Sequence, residues 1–311
     1  ENLLLRYKTL KNYCKVSGHT KYCTLKRAFC HAKYQQFSRL LILARDTGFD
    51  EETVFGEVKG FYSSGSKTGK IVYLSRYLEL DKQFVEGFAL YLAEGDTGSN
   101  GANVPSKLRF TNSNLGLHKF FIDWIRTYFP GNAFTFRVIV PLPKSISIDQ
   151  VEDIANKLNL DKNQIKVNYY KWARKTGFIY RVWLDSAIIL RLVLGIENTI
   201  KTVVQSDPIL MRAYIRGLAA GEGTVYFNKA RYVRIEMKNE KEIRYLATLF
   251  EALGYDHKLD ARTTRPGMWS VYIGAKELKK YHEEIGFGAH LGRQALLKQA
   301  ASKVLRVNQY C

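Results

Sequence analysis

Hydrophobic and charged side chains alternate along two short segments of the chain. From Val233 to Lys238 every second residue is apolar, and the residues between are Arg, Glu and Lys. Residues 107 to 111 alternate in the same way, with Leu108 and Phe110 as the apolar members. Because successive side chains of a β-strand point to opposite faces, each segment predicts a strand with one face in the core and one charged face.

Each of these strands is followed by a segment whose apolar residues recur at helical spacing. The helix after the later strand is predicted at about Lys241 to Leu253 and ends at Gly254, and the helix after the earlier strand ends at Pro130 and Gly131. Further hairpins are predicted at KWARKTGF and TTRPGMWSVYI, one in each half of the chain. Both halves are therefore predicted to run helix, hairpin, helix, hairpin, helix, which is an α+β unit.

The helix that opens each unit is repeated in sequence. The segment DKQFVEGFALYLAEGD begins at Asp81, and DPILMRAYIRGLAAGEGT begins at Asp207. Both aspartates are suitable N-caps, and Gly95 and Gly223 are placed to end their helices in the left-handed conformation. We therefore predict one helix in each copy of an internal repeat.

Small residues recur at a spacing of four in both helices, as Ala89 and Ala93 in the first copy and Gly217 and Gly221 in the second. Residues four apart lie on one helix face, one turn above the other. Side chains this small allow a second helix to approach until the two backbones nearly touch. We expect the two copies to pack through these helices, which would bring their C-terminal ends together.

Each of the two helices ends on a glutamate, Glu94 in the first copy and Glu222 in the second. A carboxylate at a helix C-terminus lies beside unpaired carbonyls and the negative end of the helix dipole, so it is unfavourable alone. A divalent cation removes that conflict. We predict that both carboxylates and the carbonyls of Ala93 and Gly221 bind Mg²⁺, and that Ca²⁺ or Mn²⁺ can substitute for binding. Metal-assisted hydrolysis of a phosphodiester needs such a site.

The charge of the chain points to a polyanionic partner. The sequence has 48 Lys and Arg against 29 Asp and Glu, a formal net charge of +19. Such an excess favours nucleic acid, because neutralising phosphates releases condensed counterions. No acidic residue lies between Asn2 and Arg45. The basic residues of that stretch are Arg6, Lys8, Lys11, Lys15, Lys21, Lys26, Arg27, Lys33, Arg39 and Arg45.

Other features of the sequence argue against the membrane, secreted and zinc-binding classes of protein. The chain has no apolar run of 18 or more residues, and its first residues, ENLLLRYKTLKNYC, do not resemble a signal peptide. We expect the protein to stay inside the cell, in the cytoplasm. Three of the four cysteines lie near His19 and His31, but their spacing is irregular and no CxxC occurs, which disfavours zinc.

Two segments carry a resemblance to a known family. IRGLAAGEG (215 to 223) and FALYLAEG (88 to 95) resemble the two signature motifs of a single-chain, two-repeat LAGLIDADG homing endonuclease, an enzyme often encoded in introns. The resemblance covers about residues 75 to 305. It implies an α+β fold with two pseudo-symmetric αββαββα repeats, whose sheets form a saddle in the DNA major groove. It also implies that Glu94 and Glu222 bind the catalytic metal.

The same resemblance implies further site residues. A basic residue is expected near the metal pocket, and Lys238 occupies the matching position of the second copy, where it acts either in catalysis or as a phosphate anchor. The first copy offers Asn112 and Ser113 there. The residues that we expect to contact DNA are Lys107, Arg109, Thr111, Lys171, Arg174, Lys175, Arg181, Tyr226, Asn228, Lys229, Arg231, Arg234, Lys238, Arg262 and Arg265.

We divide the chain into a basic, mainly helical N-terminal extension for accessory DNA binding (1–70), a first repeat (71–203) and a second repeat (204–311). Within the extension, a helix, a turn at Gly48 and a short helix from Asp50 suggest a helix-turn-helix. We expect a monomer that cleaves double-stranded DNA at a long specific site. The alternatives are an RNA maturase or non-cleaving nucleic-acid-binding protein on the same scaffold, and an intein nuclease, which the sequence RVNQYC disfavours because it lacks a His-Asn pair.

Overall fold

The chain divides into two compact units, Glu1–Leu78 and Glu79–Cys311. The structure is a computed structural model, and the residues it describes are 6–18, 21–23, 25–26, 37–62, 71–75, 77–96, 107–143, 149–170, 179–228 and 230–302. None of the helices in these ranges has the length and apolar character that a membrane span requires.

The first unit is mainly helical. Its elements are α1 (Leu10–Ser17), α2 (Phe37–Thr47), α3 (Glu51–Glu57) and the antiparallel pair β1 (Phe61–Tyr62) and β2 (Ile71–Val72). Tyr13 and Leu25 form a small core, and the Tyr13 hydroxyl donates to Asp46. The predicted helix, turn and helix are present: Gly48 has φ +77° after α2, and the Asp50 side chain caps α3.

The second unit contains two copies of one arrangement of helices and strands. The elements of the first copy are α4 (Lys82–Glu94), β3 (Gly95–Asp96), β4 (Leu108–Asn112), α5 (Leu115–Tyr128), β5 (Phe136–Pro143), α6 (Asp149–Leu158), β6 (Ile165–Tyr170), β7 (Tyr180–Leu184), α7 (Ala187–Gly195) and α8 (Glu197–Ser206). Those of the second are α9 (Pro208–Glu222), β8 (Gly223–Tyr226), β9 (Tyr232–Met237), α10 (Glu240–Ala252), β10 (His257–Ala261), β11 (Trp269–Gly274), α11 (Leu278–Glu284) and α12 (Leu291–Ser302).

The second copy follows the predicted order of helix, hairpin, helix, hairpin and helix. Its antiparallel sheet has the strand order β10-β11-β9-β8. The sheet of the first copy has the order β3-β4-β7-β5-β6, so four of its strands match those of the second copy in position. The α+β fold with two repeats and a mainly helical extension is confirmed.

The first copy contains an insertion that the sequence analysis missed. The helix α6 and strand β6 lie between β5 and β7 in the chain, and β6 pairs with β5 in parallel. A helical crossover between two strands produces parallel pairing. The prediction of a hairpin at KWARKTGF is therefore wrong, because the strands on either side of it, β6 and β7, both pair with β5 and not with each other. The hairpin at TTRPGMWSVYI is confirmed as β10 and β11.

The alternation of side chains along the strands is confirmed. Leu108, Phe110, Val233 and Ile235 are fully or almost fully buried against the helices of their own copies. The opposite, open faces of the two sheets carry the polar members of the pattern. Glu236 is an exception on this face because it is buried. Its register partner on β11 is also polar.

The helices α4 and α9 begin as predicted but end differently. The Asp81 and Asp207 side chains accept backbone N–H groups at the first turns, and Pro208 occupies the start of α9. Gly95 and Gly223, however, have φ near −80° and ψ near 150°, so the prediction of a left-handed ending is wrong. In each copy the chain passes directly from helix to strand. Glycine is needed there for space, because a Cβ on Gly95 would lie 2.3 Å from the Tyr91 carbonyl oxygen.

Candidate metal and DNA-binding site

The C-terminal ends of α4 and α9 meet within the second unit. The two helices pack along their small residues, and a Cβ on Gly221 would lie 2.6 Å from Cβ of Ala93 and 2.9 Å from Cγ of Glu94. Glu94 and Glu222 are the last residues of the two helices, and both are partly buried. The structure therefore brings together the two carboxylates that the repeat predicts.

The carboxylate of Glu94 is strongly perturbed. Burial raises its pKa to about 7, and the charge of Glu222 adds to the increase. Asn112 opposes it, since its Nδ2 donates to Oε1 of Glu94 at 2.7 Å, and the charge of Arg293 also lowers the pKa. Burial likewise raises the pKa of Glu222, against the charge of Arg293. Two partly buried carboxylates in repulsion form a site that favours a cation.

Arg293, which the sequence analysis did not select, lies at the same helix end. Its Nη1 donates to the carbonyl oxygens of Ala219, Ala220 and Gly221 at 3.2, 2.6 and 2.7 Å. These carbonyls belong to the last turn of α9. The Ala219 carbonyl accepts the Gly223 N–H, and the other two lack partners within the helix. Arg293 is part of α12, beyond both motifs, and no sequence pattern marks it as a neighbour of Glu222.

A hydrogen-bonded chain holds Asn112 against Glu94. The Nε2 of buried His118 lies 3.0 Å from the Asn112 carbonyl oxygen, and burial lowers the pKa of this histidine to about 4, so it is neutral and donates. The Asn112 side-chain oxygen accepts the Asn114 N–H at 2.8 Å. The Asn114 side chain in turn lies 3.3 Å from Nδ1 of His290. A histidine on the apolar face of α5 was the available sequence signal for His118, and it was overlooked.

Lys238 lies directly after β9, and its side chain is exposed. Asn114 and Asn239 cap the helices that follow β4 and β9, so the residues before them, Ser113 and Lys238, are equivalent. Of the two first-copy candidates, Ser113 therefore matches Lys238 in position, whereas Asn112 contacts the carboxylate.

The oxygen atoms at the two helix ends suit Mg²⁺ better than zinc. Mg²⁺ is usually bound through one or two carboxylates and keeps several waters, and the predicted carbonyl ligands, Ala93 and Gly221, directly precede the two glutamates in the chain. The Gly221 carbonyl also accepts a hydrogen bond from Arg293. Across the described ranges, no group of three or more His, Cys, Asp or Glu side chains is placed to bind a metal ion. His19, Cys30, His31 and Cys311 lie outside those ranges.

The open face of the second sheet carries a cluster around Glu236. The carboxylate of this buried residue forms ion pairs with Arg234 (3.3 Å), Arg262 (3.1 Å) and Arg265. The Arg234 guanidinium also lies 4.7 Å from the ring centre of Tyr226 and donates to its hydroxyl. Four of the predicted DNA-binding residues are thus assembled on one face, with three arginines sharing one acidic partner.

The open face of the first sheet has the same kind of surface. Thr111 and Arg181 are register partners on β4 and β7, and Nε of Arg181 donates to the threonine at 3.3 Å. Arg109 forms an ion pair with Asp96. Lys107 pairs with Asp185 at 3.2 Å.

The remaining predicted DNA-binding residues are elsewhere or lie outside the described ranges. Arg231 donates from Nη1 to the Ala300 carbonyl at 3.0 Å, and Asn228 is exposed in the loop after β8. Lys171, Arg174, Lys175 and Lys229 fall outside the residues that the structure describes.

The raised pKa of Glu94 gives an expected pH dependence. An acid with a raised folded-state pKa stabilises the fold below its unfolded value and loses that contribution as the pH rises through the folded value. Metal-free protein should therefore lose stability relative to Glu94→Gln between about pH 4.5 and pH 7. Thermal melting of both proteins in chelator across this range measures the effect. A constant difference in Tm would contradict it.

Several solved structures are similar to this chain. The crystal structure of I-DmoI in complex with DNA and Mn shares 14% identity over 67% of this chain and 98% of its own, with a TM-score of 0.39. Mesophilic variants of the homing endonuclease I-DmoI share 13% identity over 66% and 96%, with a TM-score of 0.42. Full-length DUF199/WhiA from Thermatoga maritima shares 11% identity over 75% and 65%, with a TM-score of 0.44. No curated protein sequence matches the chain.

The family comparison concerns the second copy. The matching residues run from Leu210, in the first turn of α9, to Gly286, and they include Glu222 and Lys238 but neither Glu94 nor Arg293. Residues 210–286 match the family model described as a LAGLIDADG-like domain.

Proposed function

We propose that this protein is a site-specific endonuclease for double-stranded DNA, of the intron-encoded homing type, which hydrolyses phosphodiesters with divalent metal bound by Glu94 and Glu222. The observation that carries the proposal is the meeting of these two carboxylates at the ends of two equivalent, packed helices. Each helix leads directly into a sheet with a basic open face, so the reacting phosphate would lie between the two surfaces that bind the duplex.

The residues of the site have distinct roles in this proposal. Glu94 and Glu222 would hold Mg²⁺, and the bound ion would supply Lewis-acid chemistry for hydrolysis of the phosphodiester. Asn112 donates to Oε1 of Glu94 and so fixes the rotamer of this carboxylate. His118 and Asn114 fix Asn112. The chemistry is thus supported by residues that are themselves held in place, as a preorganised site requires.

The open sheet faces supply the DNA-binding surface. Arg, Lys, Thr and Tyr side chains bind phosphates and base edges, and the net charge of +19 favours a duplex partner. A single chain with two copies can contact both halves of a long site, so we propose that the protein acts as a monomer. Glu236 neutralises part of the charge of its three arginines and fixes their positions before DNA binds.

The proposal is tested with purified protein and a library of randomised duplex DNA. With Mg²⁺ we expect double-strand breaks at one sequence, and none in chelator. Sequencing of the cleaved ends identifies that site. Specific binding in Ca²⁺ without cleavage in Mg²⁺ or Mn²⁺ would favour the alternative of an RNA maturase or a non-cleaving binding protein.

The role of Lys238 can be separated into chemistry and binding. If its ammonium acts near the metal pocket, Lys238→Met should slow the single-turnover rate at saturating enzyme by about 10- to 1000-fold, with a small change in affinity. Lys258→Met is the matched control, because Lys258 is an exposed lysine on β10 of the same sheet. If Lys238 is a phosphate anchor instead, both variants should bind DNA more weakly while the single-turnover rate stays unchanged.

The N-terminal unit is proposed to bind the DNA backbone in addition to the sheets. Lys8, Lys11, Lys15 and Lys26 have exposed side chains, and each phosphate that a lysine neutralises contributes about 0.9 to the slope of log K against log salt. Replacing these four lysines by Gln should flatten the slope by about 0.9 for each of them that binds a phosphate, while the cleavage position stays the same. Lys119→Gln and Lys157→Gln, on helices of the second unit, are the controls; an unchanged slope in the fourfold variant contradicts the proposal.

A further inference from the structure

Arg293 is anchored from two sides beside the carboxylate pair. Its side chain donates to the last turn of α9, as described above, and its backbone N–H donates to Nδ1 of His290 at 3.2 Å. The same histidine nitrogen lies 3.3 Å from the side chain of Asn114. The guanidinium is therefore held by carbonyls of the second copy, and the backbone of Arg293 is linked through His290 to Asn114 of the first copy.

The charge of this guanidinium acts on both carboxylates of the site. Burial raises the pKa of Glu94 and of Glu222, and the charge of Arg293 opposes both increases; burial lowers the pKa of Arg293, and the two carboxylates oppose that decrease. The guanidinium is bonded to the carbonyl of Gly221, the residue before Glu222, so its positive charge lies at the negative end of the α9 dipole. A net negative charge remains, so the site can still attract a divalent cation, but less strongly than two carboxylates alone.

A second cation in the chain shows what a simple helix cap looks like. Lys280 donates from Nζ to the carbonyls of Leu253 and Gly254, both at 3.0 Å, at the end of α10. It resembles Arg293 in capping a helix C-terminus, yet α10 is not a motif helix. Comparison of the two residues separates the effect of capping from the effect of the carboxylates.

We propose that Arg293 is a positioning residue of the carboxylate pair, a cation tethered at the end of α9 whose charge offsets the repulsion between Glu94 and Glu222 without metal and lowers their affinity for divalent ions. The proposal rests on the proposed metal site. It follows from Coulomb's law, since an incoming divalent cation meets both the attraction of two carboxylates and the repulsion of a fixed guanidinium. The cost of this repulsion is offset by a site that stays assembled before metal and DNA arrive.

The first experiment measures Ca²⁺ affinity by calorimetry and Tm in chelator and in Ca²⁺. Arg293→Met should bind Ca²⁺ about ten-fold more tightly or better, with a lower Tm in chelator and a larger Ca²⁺-induced increase in Tm than the unaltered protein. Arg293→Lys, which keeps the charge, should bind Ca²⁺ with near-original affinity. Lys280→Met should lower Tm equally with and without Ca²⁺. The proposal is overturned if Arg293→Met lowers Tm equally with and without Ca²⁺, as Lys280→Met should. It is also overturned if Arg293→Met binds Ca²⁺ more weakly than the unaltered protein.

The second experiment needs no metal. In chelator, removing Arg293 should cost less stability in the Glu222→Gln background than in the unaltered protein, because one of its two carboxylate partners is gone. If Arg293→Met alone fails to fold, the proposal requires the double variant to fold, and its failure counts against the proposal. Equal costs in both backgrounds also overturn it.

The outcomes for Arg293 and for the nuclease are distinguishable. Shifted Ca²⁺ affinity in a protein that cleaves no DNA supports the role of Arg293 and contradicts the endonuclease. Cleavage by a protein whose Arg293→Met variant keeps the original Ca²⁺ affinity supports the endonuclease and overturns the role of Arg293.

Discussion

Glu222→Gln and Glu94→Gln should each reduce DNA cleavage in Mg²⁺ by at least about two orders of magnitude while specific DNA binding in Ca²⁺ persists. Glutamine keeps the volume of glutamate but removes the charge that binds metal and stabilises the transition state, and losing one such group costs about 100- to 1000-fold. Single-turnover cleavage with saturating enzyme measures the chemical step, and the salt dependence of binding reports the DNA contacts separately.

The stability of these variants makes the result interpretable. Both carboxylates are partly buried, and burial raises the pKa of each, so ionisation of the pair opposes folding in the absence of metal. Either glutamine variant should therefore melt at the same temperature as the unaltered protein in chelator at pH 8, or higher. Loss of cleavage without loss of Tm excludes unfolding as its cause.

Glu86→Gln is the matched control for the cleavage experiment. Glu86 is a largely buried glutamate on the same helix, α4, and pairs with Arg216 at 3.2 Å across the interface with α9. Burial raises its pKa as well. Its replacement should lower Tm but keep cleavage within about ten-fold of the original. Full Mg²⁺-dependent activity in either Glu94→Gln or Glu222→Gln would remove these residues from the catalytic site.

The pairing of the two motif helices was predictable because its signal is local. Small residues at a spacing of four, an N-capping aspartate and a terminal glutamate lie within one helix, and the sequence repeats them. The alternation around Phe110 and Ile235 likewise predicted which strand faces are buried. Each of these inferences needs the geometry of a single helix or strand, so no knowledge of distant contacts is required.

The features that sequence reasoning missed depend on contacts between distant segments. Arg293 reaches Gly221 from the last helix of the second copy, far along the chain from the motif, and His118 acts on Glu94 through Asn112. Glu236 looked like one more exposed charge in an alternating strand, but three arginines converge on it and bury it. Neither spacing nor composition specifies which side chains meet when two sheets and several helices pack together.

Gly217→Ala should destabilise the protein by about 1 to 3 kcal/mol, a decrease in Tm of roughly 2–12 °C. A Cβ at this position would lie 2.2 Å from the Glu86 carbonyl oxygen, 2.8 Å from Cβ of Ala89 and 3.0 Å from the Leu90 nitrogen. Two of these atoms belong to the backbone of α4, so a side-chain rotation cannot relieve the contact. The helices must separate instead.

The sign of this effect distinguishes close packing from ordinary helix propensity. Alanine in a helix interior is normally more stable than glycine by about 1 kcal/mol, so a helix without a close neighbour should gain stability. Gly195→Ala, at the end of α7, is the control, because a Cβ there has no atom within 4 Å among the described residues. Gly217→Ala with unchanged or raised Tm would mean that α4 and α9 do not approach this closely. Since this contact aligns the ends of both helices, the Gly217→Ala protein that remains folded should also bind Ca²⁺ more weakly, whereas the Gly195→Ala protein should not.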